Sequence, residues 1–349
     1  MVVVGIDAHK RTHTAVAVDE LGRRLGAKTV ATTSAGHLAL LRWAEGFGEH
    51  RFAVEDCRHL SRNLERDLLR AGRTIVRVPP KLMAQVRRSA RELGKSDPID
   101  ATAVARAALR EQDLPTAQLE GAERELRLLV DHREDLVNER TRYQNRLHWH
   151  LHELDASLEF AAGSLDRYVV LDRLSGFCAA REGIVAMIAA ELVEKIRSLT
   201  ARVNQLERQI SAITAELCPA LLDLHGCGSL TAAKIVGETA SARRFADRQR
   251  FARFNGTAPV PVWSANKVRV RLNRGGNRQL NAALHRIAVT QLRGGPGRHY
   301  VEKRMAQGNT KTEAIRSLRR RLSDEVYRRL LADELARDAK ESTCVLEAA

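Results

Sequence analysis

The first hundred residues alternate short apolar runs with amphipathic stretches, and the chain is most legible in that rhythm. Val2-Val3-Val4-Gly5-Ile6-Asp7 is a continuous apolar run ending on an acid, the pattern of a central strand buried on both faces. Thr14 to Val18 follows, turns at Asp19-Glu20-Leu21-Gly22 and returns as Leu25 to Ala31, which predicts a three-strand meander. A helix capped by Ser34 and carrying Leu38, Leu41 and Trp43 comes next. Then come a strand from Arg51 to Glu55, a helix from Ser61 to Arg70 closed by Gly72, and a strand from Thr74 to Val78 stopped by Pro79-Pro80.

The order βββαβαβα, three adjacent strands followed by alternating helix and strand, is the plan of the ribonuclease-H-like fold. In that plan the first strand is central and the strand after the first helix lies beside it. Asp7 and Glu55 end those two strands, so their carboxylates can converge at one edge of the sheet. Lys95-Ser96-Asp97-Pro98-Ile99-Asp100-Ala101 then supplies two more acids at the mouth of a helix. With Pro98 at the first helical position, Asp97 is predicted as the N-cap and Asp100 falls in the first turn, about 5–6 Å away between side-chain bases. An acidic cap and a metal site both fit this stretch. Asp7 could equally end a strand and nothing more, and Glu55 could pair with Arg51 or Arg58.

Past Arg110 the pattern changes. Leu114-Pro115 and Gly121 mark a linker, and Glu123 to about Leu154 reads as a charged helix. A second helix carries Leu192, Ile196, Leu199, Val203, Leu206, Ile210, Ile213 and Leu217, the four-three spacing of a coiled-coil seam. The partner across that seam is the first helix, another subunit, or both. From Pro219 a different region begins. Leu224 to Glu238 has Gly226-Cys227-Gly228 opening an Ala-rich helix, which resembles a helix-hairpin-helix element and offers backbone N–H groups to a phosphate. A Pro259-x-Pro261 turn leads to Trp263-Ser264-Ala265-Asn266, and a basic strand from Val268 to Leu272 runs into Asn273-Arg274-Gly275-Gly276-Asn277-Arg278 at a helix start. Ser264 thus stands among Lys267, Arg269, Arg271, Arg274 and Arg278. It reads either as one more phosphate contact or as a nucleophile whose phosphodiester target is stabilised by those cations.

Charge sharpens this division. The chain has 349 residues and a formal charge of +15, yet residues 242–329 alone hold 22 Lys and Arg against 5 Asp and Glu, a balance of +17. The remainder is close to neutral. A basic excess confined to a quarter of the chain points to nucleic acid. Five cysteines without a CxxC pair read as reduced thiols, and no apolar run approaches about 18 residues, so a soluble, cytoplasmic protein without membrane contact is expected.

Taken together these residues resemble the DEDD transposases of the insertion-sequence 110 family. The matches are Gly5-Ile6-Asp7-Ala8-His9-Lys10, Val54-Glu55, Lys95 to Ala101, Gly256-Thr257-Ala258-Pro259 through Ser264, and Arg274-Gly275-Gly276-Asn277-Arg278-Gln279-Leu280, in order along nearly the whole chain. The resemblance implies an α/β, RuvC-like domain over residues 1–112, a helical coiled-coil arm over 119–217, a mainly helical transposase domain over 218–330 and a tail over 331–349. It implies that Asp7, Glu55, Asp97 and Asp100 hold two magnesium ions and that Ser264 forms a covalent phosphoserine with DNA. It also implies donor and target double-stranded DNA chosen by a structured bridge RNA, and the four-three seam would supply the contact of a homo-oligomer, dimer or tetramer. The departures are Asp56-Cys57-Arg58 after Glu55, where relatives have a Thr-Gly turn, and Ala265 after Ser264, where Gly is usual. The rival readings are a structure-selective nuclease that uses water and a non-catalytic nucleic-acid scaffold.

Overall fold

The computed structural model describes residues 1–55, 60–88, 96–111, 114–117, 121–161, 163–264, 267–273 and 275–347. The chain divides into two compact units, Met1–Glu120 and Gly121–Ala349. The first carries β1 (Val2–Ala8), β2 (Thr12–Val18), β3 (Arg24–Ala31), α1 (Ser34–Glu45), β4 (His50–Glu55), α2 (Arg62–Arg70), β5 (Ile75–Val78), α3 (Pro80–Arg88) and α4 (Asp97–Arg110). The sheet order is β3-β2-β1-β4-β5, with β1 antiparallel to β2 and parallel to β4. This is the expected ribonuclease-H-like plan, with β1 at its centre.

Alternation along the strands sorts two cores. Val4, Ile6, Phe52 and Val54 pack with Leu40, Leu64 and Leu68 of α1 and α2 on one face. Val3, Val16, Val18 and Ala53 pack with the alanines of α4 on the other. Asp7 belongs by its odd number to the α4 face, as does Glu55 two residues beyond Ala53. The register pairs Ile6 with Val54, so Asp7 and Glu55 come next on their two strands.

Two helix starts differ from the sequence reading by one residue. Thr33, not Ser34, caps α1, its hydroxyl accepting from the Gly36 N–H at 3.1 Å. Ser96, not Asp97, is the N-cap of α4, and its carbonyl accepts from Ile99 and Asp100 at 2.9 and 3.0 Å. Asp97 therefore occupies the first helical position, and its carboxylate is free to face outward from the cap. Pro80, read as a strand stop, also opens α3, because proline suits a first turn where its missing N–H costs nothing.

The second unit carries α5 (Ala122–Leu154), α6 (Tyr168–Ala179), α7 (Ile184–Leu217), α8 (Pro219–Leu222), α9 (Ser229–Thr239), α10 (Arg248–Phe254), β6 (Val260–Ser264), β7 (Lys267–Arg271), α11 (Arg278–Leu292), α12 (Pro296–Ala306) and α13 (Lys311–Glu347). The seam of α7 is buried within the chain: Leu192, Ile196, Val203, Leu206 and Ile210 are covered, and α5 is the helix that α7 packs against most. Leu126 and Val130 of α5 share one core with Leu206, α9, α11 and α13. The segment after Leu331 continues α13, where Asp333 accepts from the Ala220 and Leu221 N–H groups and Glu334 from that of Ala242. Two acids in a segment without an assigned role thus cap other elements. Cys178, Cys218 and Cys227 are buried free thiols, and burial pushes the last two up to about 12, leaving them protonated and inert.

Candidate functional site

The acid cluster of the first unit depends on how closely α4 approaches β1. A Cβ on Gly5 would lie 2.3 Å from the Ala101 carbonyl oxygen and 2.4 Å from the Ala105 nitrogen, so only glycine lets the helix backbone rest on the strand. Ala101, Ala105 and Ala108 complete the small-residue face. With the helix seated this way, Asp100 in its first turn is brought to Asp7, and both are buried, 7% and 6% exposed.

The electrostatics record the convergence. Burial pushes the Asp7 carboxyl above its ordinary range, His9 pulls it back, and Asp100 and Asp97 push it further up. Glu55 is raised by burial first, then by Asp7 and Asp100, with His9 and Arg87 opposing. Asp7 thus feels Asp100 and Asp97, and Glu55 feels Asp7 and Asp100. Asp56 lies outside the described residues.

Two basic side chains stand among these carboxylates. His9 Nε2 is 3.0 Å from Asp7 Oδ2 and 3.3 Å from Asp97 Oδ1. Arg87 Nη1 of α3 is 3.1 Å from Asp100 Oδ1. That contact is an ion pair without hydrogen-bond geometry, and Asp100 Oδ1 is a buried acceptor with no hydrogen bond. Asp7, His9 and Asp97 each offer a ligand atom within 4.8 Å of the others. Clustered carboxylate oxygens, one of them unsatisfied, fit a hard divalent cation. His9 has a legible signal, since it lies two residues beyond Asp7 and so on the same side of the chain. Arg87 has none, because its place depends on how α3 packs beside α4.

The serine region belongs to the second unit. β6 and β7 form a two-stranded hairpin in which Val260 pairs with Arg271 and Ser264 with Lys267, which places Ser264 at the tip. Ala265, Asn266 and Arg274 lie outside the described residues, and of Ser264, Lys267 and Arg269 the structure describes the backbone. Trp263 is 74% exposed, and Arg271 and Arg278 are exposed. The base of the hairpin is braced: the Asn277 N–H donates to Phe254 O at 2.7 Å, and Asn281 Nδ2 to Asn255 O at 2.8 Å. Asn277 caps α11 through the Leu280 N–H and donates to the buried Glu238 at 2.6 Å. Gly228 stands at the N-cap of α9, where the phosphate seat is expected.

Fold and acids define a class, a ribonuclease-H-like domain with a carboxylate site suited to divalent metal. Comparison with known proteins narrows it. The family model for the DEDD transposases of IS110, described as "Transposase", matches residues 4–155, and the model described as "Transposase IS116/IS110/IS902 family" matches residues 218–302. The chain belongs to the IS110 family of transposases. It is 26% identical to an uncharacterized protein of insertion element IS116 from Streptomyces clavuligerus, over 93% of each chain. It is 24% identical to an uncharacterized protein of IS900 from Mycobacterium paratuberculosis, over 91% of this chain and 92% of that one. Among solved structures, RuvC of T. thermophilus in complex with Holliday junction substrate aligns over 34% of this chain and 99% of that chain, at 18% identity and a TM-score of 0.27. No helix among the described residues is long and apolar enough to cross a membrane.

Proposed function

We propose that this transposase is a site-specific recombinase that cuts and rejoins double-stranded DNA through Ser264, with donor and target chosen by a structured bridge RNA. The observation that carries the reading is the convergence of Asp7, Glu55, Asp97 and Asp100 at the ends of β1 and β4 and the start of α4. These residues would hold magnesium, as two ions, with His9 beside them. Bound there, the metal supplies positive charge to the phosphoryl oxygens of a scissile group.

The protein's own contribution is binding and bond exchange. Arg271, Arg278, Lys267, Arg269 and Arg274 attract the backbone, and the exposed Trp263 offers a face on which a base can stack. The Ser264 oxygen forms a bond to phosphorus as the bond to one deoxyribose oxygen breaks, and the serine proton ends on the departing hydroxyl. One phosphodiester is exchanged for another, so rejoining is the same step reversed. The reading requires acids and serine, which belong to different units, to reach one phosphodiester, and a homo-oligomer, dimer or tetramer, offers a route for them to meet.

Asp100→Asn tests the acids: DNA strand cleavage falls at least a hundredfold while DNA binding measured by gel shift persists. Cleavage at the wild-type rate would remove Asp100 from the chemistry. One observation favours a second reading, a nuclease that uses water: Asp7, Glu55, Asp97 and Asp100 all belong to the first unit. Cleaved ends free of protein would select it.

A further inference from the structure

The two turns that flank the β6–β7 hairpin are pressed together. A Cβ on Gly276 would lie 2.3 Å from the Gly256 nitrogen, so the glycines meet backbone to backbone. Beside this junction is an open pocket of about 380 Å³, walled by Arg278 of α11 and by Arg316 and Arg319 of α13, with Asn281 and His285 between them. No acid lines it. Elsewhere on α13 arginines find carboxylates: Arg320 takes Asp324, and Arg329 takes Glu325 at 2.7 Å. Among the described residues Arg278, Arg316 and Arg319 close no salt bridge, although Glu313, one turn before Arg316, is lowered first by its hydrogen bonds from Thr310 and then by the charge of Arg316. Arg319 donates from Nη1 to Asn281 Oδ1 at 2.8 Å, which orients it into place, while its Nε is buried without a partner. Burial, together with neighbouring Arg316, lowers the Arg319 pKa, and burial with Arg319 does the same to His285. Arginines from two helices thus converge on one pocket.

We propose that this pocket seats one phosphate of the DNA backbone and so fixes the strand relative to the hairpin. Guanidinium forks match phosphate oxygens, and here the half-buried Arg319 and the exposed Arg278 and Arg316 share one pocket with an amide. DNA is the favoured polymer because the pocket borders both ends of the hairpin whose tip is Ser264, a step that rests on the recombinase reading. Five-residue strands reach about 17 Å, which spans a few base pairs of duplex at 3.4 Å each. The pocket phosphate is then a neighbour of the scissile one and not the scissile one itself.

The test is the salt dependence of binding to a DNA duplex by fluorescence anisotropy, for the full-length protein, Arg316→Gln, Arg319→Gln and the double variant. Loss of the one pocket phosphate lowers the slope of log K against log salt by roughly 1, so the double variant falls by roughly 1 and each single variant by part of that amount. Arg316 is exposed, and its single variant keeps the test valid if Arg319→Gln perturbs folding. An unchanged slope in Arg316→Gln at wild-type melting temperature overturns the proposal. A slope that falls for an RNA duplex and not for DNA overturns the choice of polymer. An unchanged slope in a protein that still forms the Ser264–DNA adduct sinks the pocket alone. A reduced slope with no adduct leaves the pocket standing and sinks the recombinase reading.

Discussion

Asp7 is buried beside Asp97 and Asp100 and answered by a single histidine, so its negative charge is tolerated rather than welcomed. The raised carboxyls of Asp7 and Glu55 contribute stability below the ordinary carboxylate range, and that stability is lost as pH rises through their folded values. At neutral pH the cluster weakens the fold until a cation joins it. Magnesium or manganese therefore raises the melting temperature of the wild type. Asp7→Asn melts at or above the wild type in chelator and gains little from metal; a full metal response in this variant would contradict the account. His13 behaves in the opposite sense. Stacked on His37 at 5.4 Å and buried, it is lowered to about 4 by burial, then by His37 and His9. The unfolded chain binds its proton more readily, so stability falls as pH drops from about 6.5 to about 4, by a few kcal/mol at most, and then levels off. Urea titrations across that range should show the slope, and His13→Gln should flatten it. The acids were legible in the sequence because strand ends and a helix start are local patterns. The cation pairing with Asp100 was not, since Arg87 reaches it only through the packing of two helices.

Strand boundaries in the first unit and the β1–β4 neighbourhood were readable, whereas α3 and the strand β6, read as a turn at Pro259-x-Pro261, were not, nor was the depth at which helices pack. Gly5 reads as one more small residue in an apolar run, yet it sets the depth at which α4 rests on β1 and thereby where Asp100 stands. Gly5→Ala should cost at least about 3 kcal/mol, because the new methyl meets backbone that cannot step aside. Gly176→Ala, in mid α6 with nothing near the added methyl, should instead stabilise by up to about 1 kcal/mol. Equal losses in the two variants, measured by denaturant unfolding, would show that the close approach of α4 is not what Gly5 provides. The α7 seam shows the same limit. Its periodicity predicts a buried stripe but cannot say what buries it, and the answer, α5, comes from the length and antiparallel return of the hairpin.

At the scale of the molecule, charge and chemistry are segregated. The acids belong to the first unit, and the basic excess of residues 242–329 belongs to the second, where Arg271 and Arg278 at the hairpin and Arg298 and Lys303 on α12 are among its exposed members. Such a surface gives DNA binding that weakens steeply with salt, on the order of a thousandfold between 50 and 200 mM if six or more phosphates are contacted. A shallow salt slope would argue against the hairpin face as the nucleic-acid surface. Residues Arg316 and Arg319 escaped the sequence reading because they sit some forty positions beyond the motif they complete, in a helix whose charge pattern looks like an ordinary solvated face. The most direct measurement of the central claim is a covalent one. The protein is incubated with target DNA, magnesium and its cognate RNA, then denatured and digested, and the DNA-linked peptide is identified by mass spectrometry. The account predicts a phosphodiester-derived adduct on Ser264, absent from Ser264→Ala and from Asp100→Asn. An undiminished adduct in Ser264→Ala, or cleaved ends carrying no peptide, would contradict it.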